Sequence, residues 1–185
     1  LSCKMSNTTL QSAGSGDAFI FKQDSLGNFL WAVRAGGILS DRVNAVISDS
    51  VGNIYIAGQY EGQASFGNFT LTGHGNSQEI FLAKLDSAGN FIWAKSFGGN
   101  DIEIANDITI DFSGNILITG LFRDSSFFGN QTLVSSINPS TLVSSFDIFI
   151  LKCDTASNVI FAKKGGGKYD DRGLAIACDF NNNIF

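Results

Sequence analysis

Apolar residues in this chain come in short runs divided by polar turns, and no window shows the apolar period of 3.6 residues typical of a helix. The runs are bounded by Gly, Asn and Asp, which favours β strands. In the middle of the chain the pattern predicts strands over 80–85, 91–97, 104–110 and 116–122, with a looser stretch over 127–134. Several runs are apolar at consecutive positions, which is typical of sheets covered on both faces. The fold class predicted is all-β.

The same pattern of apolar runs and turns occurs three times along the chain. Residues 17–78, 79–146 and 147–185 align at their landmarks, with a spacing of 62 between Trp31 and Trp93 and of 68 between Trp93 and Phe161. Residues 1–16 match the tail of a preceding repeat, and Phe185 falls where the earlier copies are still inside an apolar run. We therefore expect a fragment of a larger repeat protein, with a truncated third repeat.

Turn signals divide each copy into hairpins. The sequence Asp, two variable residues, Gly or a substitute, then Asn occurs six times, with substitutes at Ser157 and Asn182. An Asp at the first position of a turn accepts backbone N–H bonds, and Gly three residues later tolerates a positive φ. Four strands per copy is the content of a propeller blade. We expect a partial β-propeller of about three four-stranded antiparallel blades, each copy forming one blade with 104–110 and its equivalents innermost.

The repeat resembles a known family. Its linked signatures are Phe-x-x-Lys-x-Asp, Gly-Asn before Trp, Gly-Gly, and Asp-x-x-Gly-Asn before an apolar strand that ends in Gly. They are similar to the bacterial β-propeller repeat often called the SBBP repeat, from which the third copy departs at Cys153, Ser157 and Phe161. The resemblance implies a propeller of large secreted or cell-surface bacterial proteins without a conserved catalytic apparatus, so it transfers no active-site residue.

Composition excludes some partners. A net charge of −5 with scattered Lys and Arg argues against nucleic acid, whose phosphates need clustered cations. No apolar stretch approaches the roughly 20 residues of a membrane helix, so no membrane insertion is expected. Cys153 and Cys178 occupy apolar columns of the repeat and are interpreted as buried free thiols.

Catalytic and metal chemistry find little support in the residues. His74 is the only histidine, and no other copy has one, which argues against a Cys/His or Ser/His/Asp site and against zinc. Each Asp-x-x-Gly-Asn turn has one carboxylate, whereas calcium takes six to eight oxygen ligands. We expect no enzyme activity, no cofactor and no metal ligand, and the six Asp residues to be turn formers.

One recurrent constellation is a candidate ligand site. A carboxylate follows each Gly-Gly pair by four residues, at Asp41, Glu103 and Asp171, with the repeat's own spacings of 62 and 68. Equivalent positions of a propeller lie on a ring, so these groups are expected to open on one face near the axis. Such a ring could bind a cation, a cationic group or a sugar. The alternative is that each acid caps a turn or pairs with Arg42 or Arg172.

Two further columns recur and are interpreted as structural. The lysines are expected to extend toward the blade edge and the following Asp, and the aromatic residues to pack between blades. The columns are Lys22, Lys84 and Lys152, and Trp31, Trp93 and Phe161.

The sequence therefore favours a non-enzymatic structural or interaction module of a larger secreted or cell-surface bacterial protein. Its variable segments, 61–78 and 124–146, would tune binding of a protein or carbohydrate. The alternatives are a carbohydrate- or cation-binding propeller that uses the carboxylate ring, and part of a hydrolase or lyase whose catalytic residues lie elsewhere. Because missing blades of the same polypeptide would cover the exposed apolar faces, we expect residues 1–185 alone to self-associate or to unfold without cooperativity.

Overall fold

The structure, a computed structural model, describes residues 2–5, 8–74 and 77–185. Within these residues all regular structure is β strand. The strands of the middle copy lie where the sequence predicts them, and the looser stretch is a hairpin. The strands are β1 (Ser2–Met5), β2 (Thr8–Gln11), β3 (Ala18–Gln23), β4 (Phe29–Gly37), β5 (Arg42–Ser48), β6 (Ile54–Glu61), β7 (Gln63–Phe66), β8 (Phe69–Thr72), β9 (Gln78–Leu85), β10 (Phe91–Gly99), β11 (Glu103–Ile110), β12 (Ile116–Phe122), β13 (Ser125–Phe128), β14 (Gln131–Val134), β15 (Asp147–Cys153) and β16 (Val159–Gly165).

The strands form successive antiparallel sheets. The first sheet has the order β3-β4-β7-β8, the second β5-β6-β9-β10, and the third β11-β12-β15-β16. The hairpin β13-β14 extends the second sheet beyond β10, and β1 pairs with β2 alone. This architecture is a partial β-propeller, which confirms the predicted fold class.

The expectation that each copy forms its own sheet is wrong. The second sheet takes β5 and β6 from the first copy and β9 and β10 from the next. The strands β6 and β9 pair along their whole length, from Ile54 opposite Leu85 to Glu61 opposite Gln78. The intervening hairpin β7-β8 instead packs on β4 of the preceding sheet. Successive copies therefore interlock, because two of them share the second sheet and two share the third.

Innermost strands lie at one edge of each of these shared sheets. The strands β5 and β11 hold those edges in the second and third sheets and pack against each other. The amide Nδ2 of Asn44 on β5 donates to the carbonyl of Ala105 on β11 at 2.8 Å. This agrees with the prediction that 104–110 and its equivalent in the first copy are innermost, whereas the third equivalent, 172–178, forms no strand.

The core lies between sheets rather than on one face of each. Neighbouring residues Phe81 and Leu82 on β9 are both fully buried but belong to different apolar clusters. Phe81 packs on Phe66 of the first sheet, with ring centroids 4.7 Å apart, whereas Leu82 lies in the cluster of Ile118 of the third sheet. The strand β9 is therefore apolar on both faces because the second sheet is stacked between two neighbouring sheets.

All six Asp turns have one geometry. In the turn at Asp86, Oδ1 accepts the N–H groups of Ala88 and Asn90 at 2.9 Å, and Oδ2 accepts Nδ2 of Asn90 at 2.9 Å. These hydrogen bonds, above all the one from the Asn90 side chain, lower the pKa of Asp86. The fourth residue has a positive φ each time, 89° at Gly89 and 68° at Ser157. The turn-forming role predicted for the Asp residues is confirmed.

The turns and the Gly-Gly pairs lie at opposite ends of the sheets. The register that places Ile54 opposite Leu85 brings the turns after β5 and β9 to the same end, called here the turn end. The other end, where β10 finishes at Gly99 and β11 begins at Glu103, is called the glycine end.

Candidate functional site

The three candidate carboxylates all lie at the glycine end and cap the Gly-Gly segment. Each accepts a hydrogen bond from the N–H of the second Gly of its pair, four residues earlier. The donor–acceptor distances are 2.7 Å from Gly37 to Asp41 Oδ2, 3.1 Å from Gly99 to Glu103 Oε2, and 2.8 Å from Gly167 to Asp171 Oδ2.

Their side chains are turned inward. Asp41 is 3% exposed and Glu103 is fully buried, whereas Asp171 is partly exposed. The alternative role as turn caps is therefore the one that their geometry displays. Arg172, offered as a possible partner, lies instead over the ring of Phe146 at 5.8 Å. A ligand role for the three carboxylates stays a prediction.

A second set of carboxylates, missed in the sequence, converges on the same glycines. Asp17, Glu79 and Asp147 begin the three copies and carry the same spacings of 62 and 68. A Cβ on Gly98 would lie 2.7 Å from Glu103 Oε2 and 2.9 Å from Glu79 Cγ. The equal spacing is enough to show that these acids recur, but not that each of them meets a capping acid at a glycine.

The first copy repeats the arrangement. A Cβ on Gly36 would lie 2.7 Å from Asp41 Oδ2 and 3.0 Å from Asp17 Cγ. Gly36 and Gly98 have φ of 143° and 152°, values that side chains rarely adopt. Each site therefore consists of two carboxylates packed around a glycine that no other residue can replace without strain.

The second set has cationic partners in two copies. Arg34 Nη1 lies 3.0 Å from Asp17 Oδ2, and Lys164 Nζ lies 2.9 Å from Asp147 Oδ2. Both aspartate side chains are fully buried. The ion pairs explain how a charge can be held there, because a buried charge needs a partner.

In the second copy, a serine takes the place of the cationic partner, and a histidine contacts the same acid. Ser96 occupies the column of Arg34 and Lys164, and its Oγ donates to Glu79 Oε2 at 3.0 Å. His74 Nδ1 lies 2.9 Å from Glu79 Oε1, which also accepts the His74 backbone N–H. The only histidine of the chain thus has a structural partner. Ser12 and Ser136, which donate to Asp17 and Asp147, fill its place in the other copies.

Burial raises the pKa of two of the capping carboxyls, Asp41 and Glu103. The pKa of Asp41 rises to about 6, chiefly because of desolvation, with a smaller contribution from the negative charge of Asp17. Desolvation and the charge of Glu79 raise the pKa of Glu103 to about 7. Both acids therefore change protonation between pH 4 and 8, unlike ordinary carboxyls.

Hydrogen bonding differs between the two capping acids. Ser126 Oγ on β13 donates to Glu103 Oε1 at 2.5 Å. The equivalent of Ser126 in the first copy is Ala64, and Asp41 Oδ1 is buried without a hydrogen-bond partner among the residues that the structure describes. Within the described ranges 2–5, 8–74 and 77–185, three or more His, Cys, Asp or Glu residues never group closely enough to hold a metal ion.

The lysine and aromatic columns reach neighbouring elements. Lys152 Nζ pairs with Asp111 Oδ2 at 2.6 Å rather than with the following Asp154. Trp31 Nε1 donates to the carbonyl of Ser87 in the adjacent sheet at 3.1 Å, and its ring covers Gly89. Packing between sheets is thus confirmed for Trp31.

The cysteines are free thiols. Cys153 is fully buried on β15, and burial raises its pKa to about 12. Cys178 is only partly buried, so the expected burial is confirmed for Cys153 and not for Cys178.

The largest difference between copies is a surface segment, residues 135–146, called here the finger. Its two arms are joined by a bridge between Ile137 and Ser144 and by the N–H of Asn138 donating to the carbonyl of Val143 at 2.9 Å. At its tip Leu142 is 81% exposed and has a φ of 59°. A strained, exposed leucine held by its own hydrogen bonds marks a preorganised surface feature.

A curated relative agrees with the architecture. The chain is 30% identical over 161 residues to an uncharacterized WD repeat-containing protein of Acanthamoeba polyphaga mimivirus, and the match covers 80% of this chain and 11% of that protein. The chain is a β-propeller-like repeat protein. It spans about a tenth of that relative's length. No family model matches the chain, so membership of the SBBP family stays a prediction. In the part of the chain described, no helix is long and apolar enough to cross a membrane.

Proposed function

We propose that this partial propeller is a non-enzymatic interaction module of a larger secreted or cell-surface bacterial protein, and that the finger is its main contact surface for a protein partner. The bacterial and extracellular setting rests on the resemblance of the repeat. The observation that carries the interaction role is the finger itself. It presents Ile137, Leu142 and Val143 to solvent on a framework fixed by hydrogen bonds.

The recurrent polar residues support this assignment because internal bonds already occupy them. The turn aspartates accept N–H groups of their own turns. The glycine-end acids bind backbone N–H groups, hydroxyls or cations of the scaffold. Recognition is therefore assigned to the variable segments, as in other scaffolds that carry binding loops.

Preorganisation is the physical advantage of the finger. Its base is tied to the third sheet, since Ser136 N donates to Asp147 Oδ2 at 2.8 Å and Ser145 Oγ to the carbonyl of Gly167 at 3.1 Å. A rigid apolar tip loses little conformational entropy on binding, which increases affinity.

Selection of binders from a peptide display library against the immobilised chain tests the proposal. Leu142→Asn removes the apolar side chain yet suits a positive φ, so the variant keeps its fold while selected peptides lose at least tenfold in affinity. Leu26→Asn is the matched control, because Leu26 is similarly exposed at a turn tip outside the finger. Peptides that bind both variants like the wild type would contradict the assignment to the finger.

Calorimetric titration with calcium and with simple sugars tests the carboxylate alternative. The variant combines Asp41→Asn, Glu103→Gln and Asp171→Asn. Heats that appear with the wild type and vanish in this variant would replace the interaction role by ligand binding at the ring.

A further inference from the structure

The inner side of the first sheet is an open slot between β3 and β5. The strand β3 is the edge of its sheet, so among the described strands none pairs with its outer N–H and C=O groups. The equivalent strand β9 is paired with β6 at that edge, and β15 is paired with β12. Of these three equivalent strands, β9 and β15 therefore have a partner strand at this edge, whereas β3 has none among the described strands.

Side chains in the slot are also more exposed than their equivalents in the other sheets. Phe21 on β3 is 50% exposed, whereas its equivalents Ala83 and Leu151 are fully buried. Val46 on β5 is 62% exposed, but its equivalent Ile108 is 5% exposed. Ile108 lies in the apolar cluster of Ala45 on β5, so an inner strand of the preceding sheet is what buries this column.

The slot has the shape and chemistry of a strand-binding groove. A cleft of about 430 Å³ runs between the two strands, lined on its apolar side by Ile20, Phe21, Trp31, Val46 and Ile54. One wall offers backbone hydrogen bonds along β3, and the other offers the apolar face of β5. A strand added to such an edge gains affinity from main-chain bonds and specificity from side-chain pockets.

We propose that this slot binds a β-hairpin of the repeat's own type, equivalent to residues 41–61, whose second strand adds to β3 while its first packs on β5. The occupant is inferred from the covered columns. In the second sheet β6 pairs with β9 over eight residues, and Gly58 lets the carbonyl of Arg42 approach closely enough to leave no room for a Cβ. The hairpin must therefore be apolar on both faces and carry a Gly at that position.

Hydrogen exchange tests the proposal with a synthetic peptide of residues 41–61 added to the whole chain. We expect exchange of the outward β3 amides to slow at least tenfold at saturating peptide, while β9 and β15 stay unchanged. A peptide with Gly58→Val is the matched control, because the extra side chain prevents the hairpin from closing. Unchanged exchange in β3 with the native peptide overturns the proposal.

Two chain variants locate the binding. Phe21→Asp places a charge in the slot and is expected to abolish the protection. The control Val134→Asp, at an exposed position of β14 that does not line the cleft, is expected to leave the protection intact. Unaltered β9 and β15 exchange shows that each variant is folded. Protection of β3 that needs no peptide and grows with protein concentration would mean that a second copy of the chain pairs edge to edge, which also overturns the proposal. None of these outcomes depends on the finger, so the test is independent of the proposed function.

Discussion

At the turn end, Asp86 is partly exposed and accepts N–H groups of its own turn, whereas at the glycine end Glu103 is buried beside Glu79. Both carboxylates hold a backbone segment by hydrogen bonds. Local hydrogen bonds lower the pKa of Asp86, and desolvation raises that of Glu103 to about 7. The same side-chain chemistry thus gives acid-sensitive turns at one end and sites that ionise near neutral pH at the other.

Glycine substitutions should give the largest contrast between the two ends. A Cβ on Gly98 would meet two buried acids at under 3.0 Å, whereas a Cβ on Gly114 would meet nothing within 4 Å. Both glycines have a positive φ, of 152° and 84°. We expect Gly98→Ala to cost about 3 kcal/mol or more of unfolding free energy and Gly114→Ala about 1 kcal/mol. Urea denaturation measures both, and equal losses would contradict the packing described at the glycine end.

The second-largest effect is expected in the pH dependence of stability, which Glu103→Gln should change at the glycine end. A carboxyl whose pKa is raised in the folded state keeps its proton when the unfolded chain has lost it, so stability falls as pH rises from the ordinary value of 4.5 to about 7 and is constant above. Glutamine keeps both hydrogen bonds, accepting from Gly99 and donating to Ser126. At pH 8 the variant should be more stable than wild type by up to roughly 3 kcal/mol.

Thermal unfolding between pH 4 and 8 gives the wild-type and Glu103→Gln profiles. Their difference should grow through that window and vanish near pH 4.5, where both side chains are neutral in the fold. A difference that does not depend on pH would show that Glu103 is already ionised in the fold at no cost.

Much of this architecture could be predicted from the sequence, because local signals and tertiary contacts agree there. The two-sided apolar pattern at Phe81 and Leu82 reports burial between two sheets, and the Asp86 turn follows from residue types alone. The interlocking of copies could not be predicted, since β6 can reach β9 only because the hairpin β7-β8 leaves to join another sheet. The apolar pattern predicts where each strand lies, but not which strand it pairs with.

The sequence predicts which end of the sheets the three candidate acids share, but not what surrounds them, and their ligand role stays a prediction. Equal spacing placed Asp41 and Glu103 at one end of the sheets, yet their burial depends on partners distant in sequence, such as Ser126 on β13. Glu79 was visible at the same spacing, but a single sequence does not reveal that two acids 24 residues apart meet at one glycine.

The histidine that contacts Glu79 should give a smaller effect. His74→Ala removes the Nδ1 partner and leaves the backbone N–H, the Ser96 hydroxyl and Tyr60, so we expect a loss of about 1 kcal/mol. Ser96→Arg in the same background introduces the residue found at Arg34 in the first copy and should restore the stability. Chemical denaturation at pH 6 compares the single and double variants. Failure of the arginine to compensate would show that this column is not an ion-pair position in the second copy.

The smallest effect is expected for Asp86→Asn at the turn end. A carboxyl whose pKa is lowered in the fold stabilises it at pH values above the ordinary 3.8, and this contribution is lost as pH falls through the folded value. Asparagine can still accept the N–H groups of Ala88 and Asn90, but it does not titrate. The variant should therefore match wild type from pH 5 to 8 apart from a small constant loss, and should lose less stability below pH 4. Acid titration followed by tryptophan fluorescence measures this, with Glu103→Gln as the control whose change lies wholly above pH 4. If Asp86→Asn altered the profile between pH 5 and 7 instead, the two ends would not titrate separately and the contrast between them would be wrong.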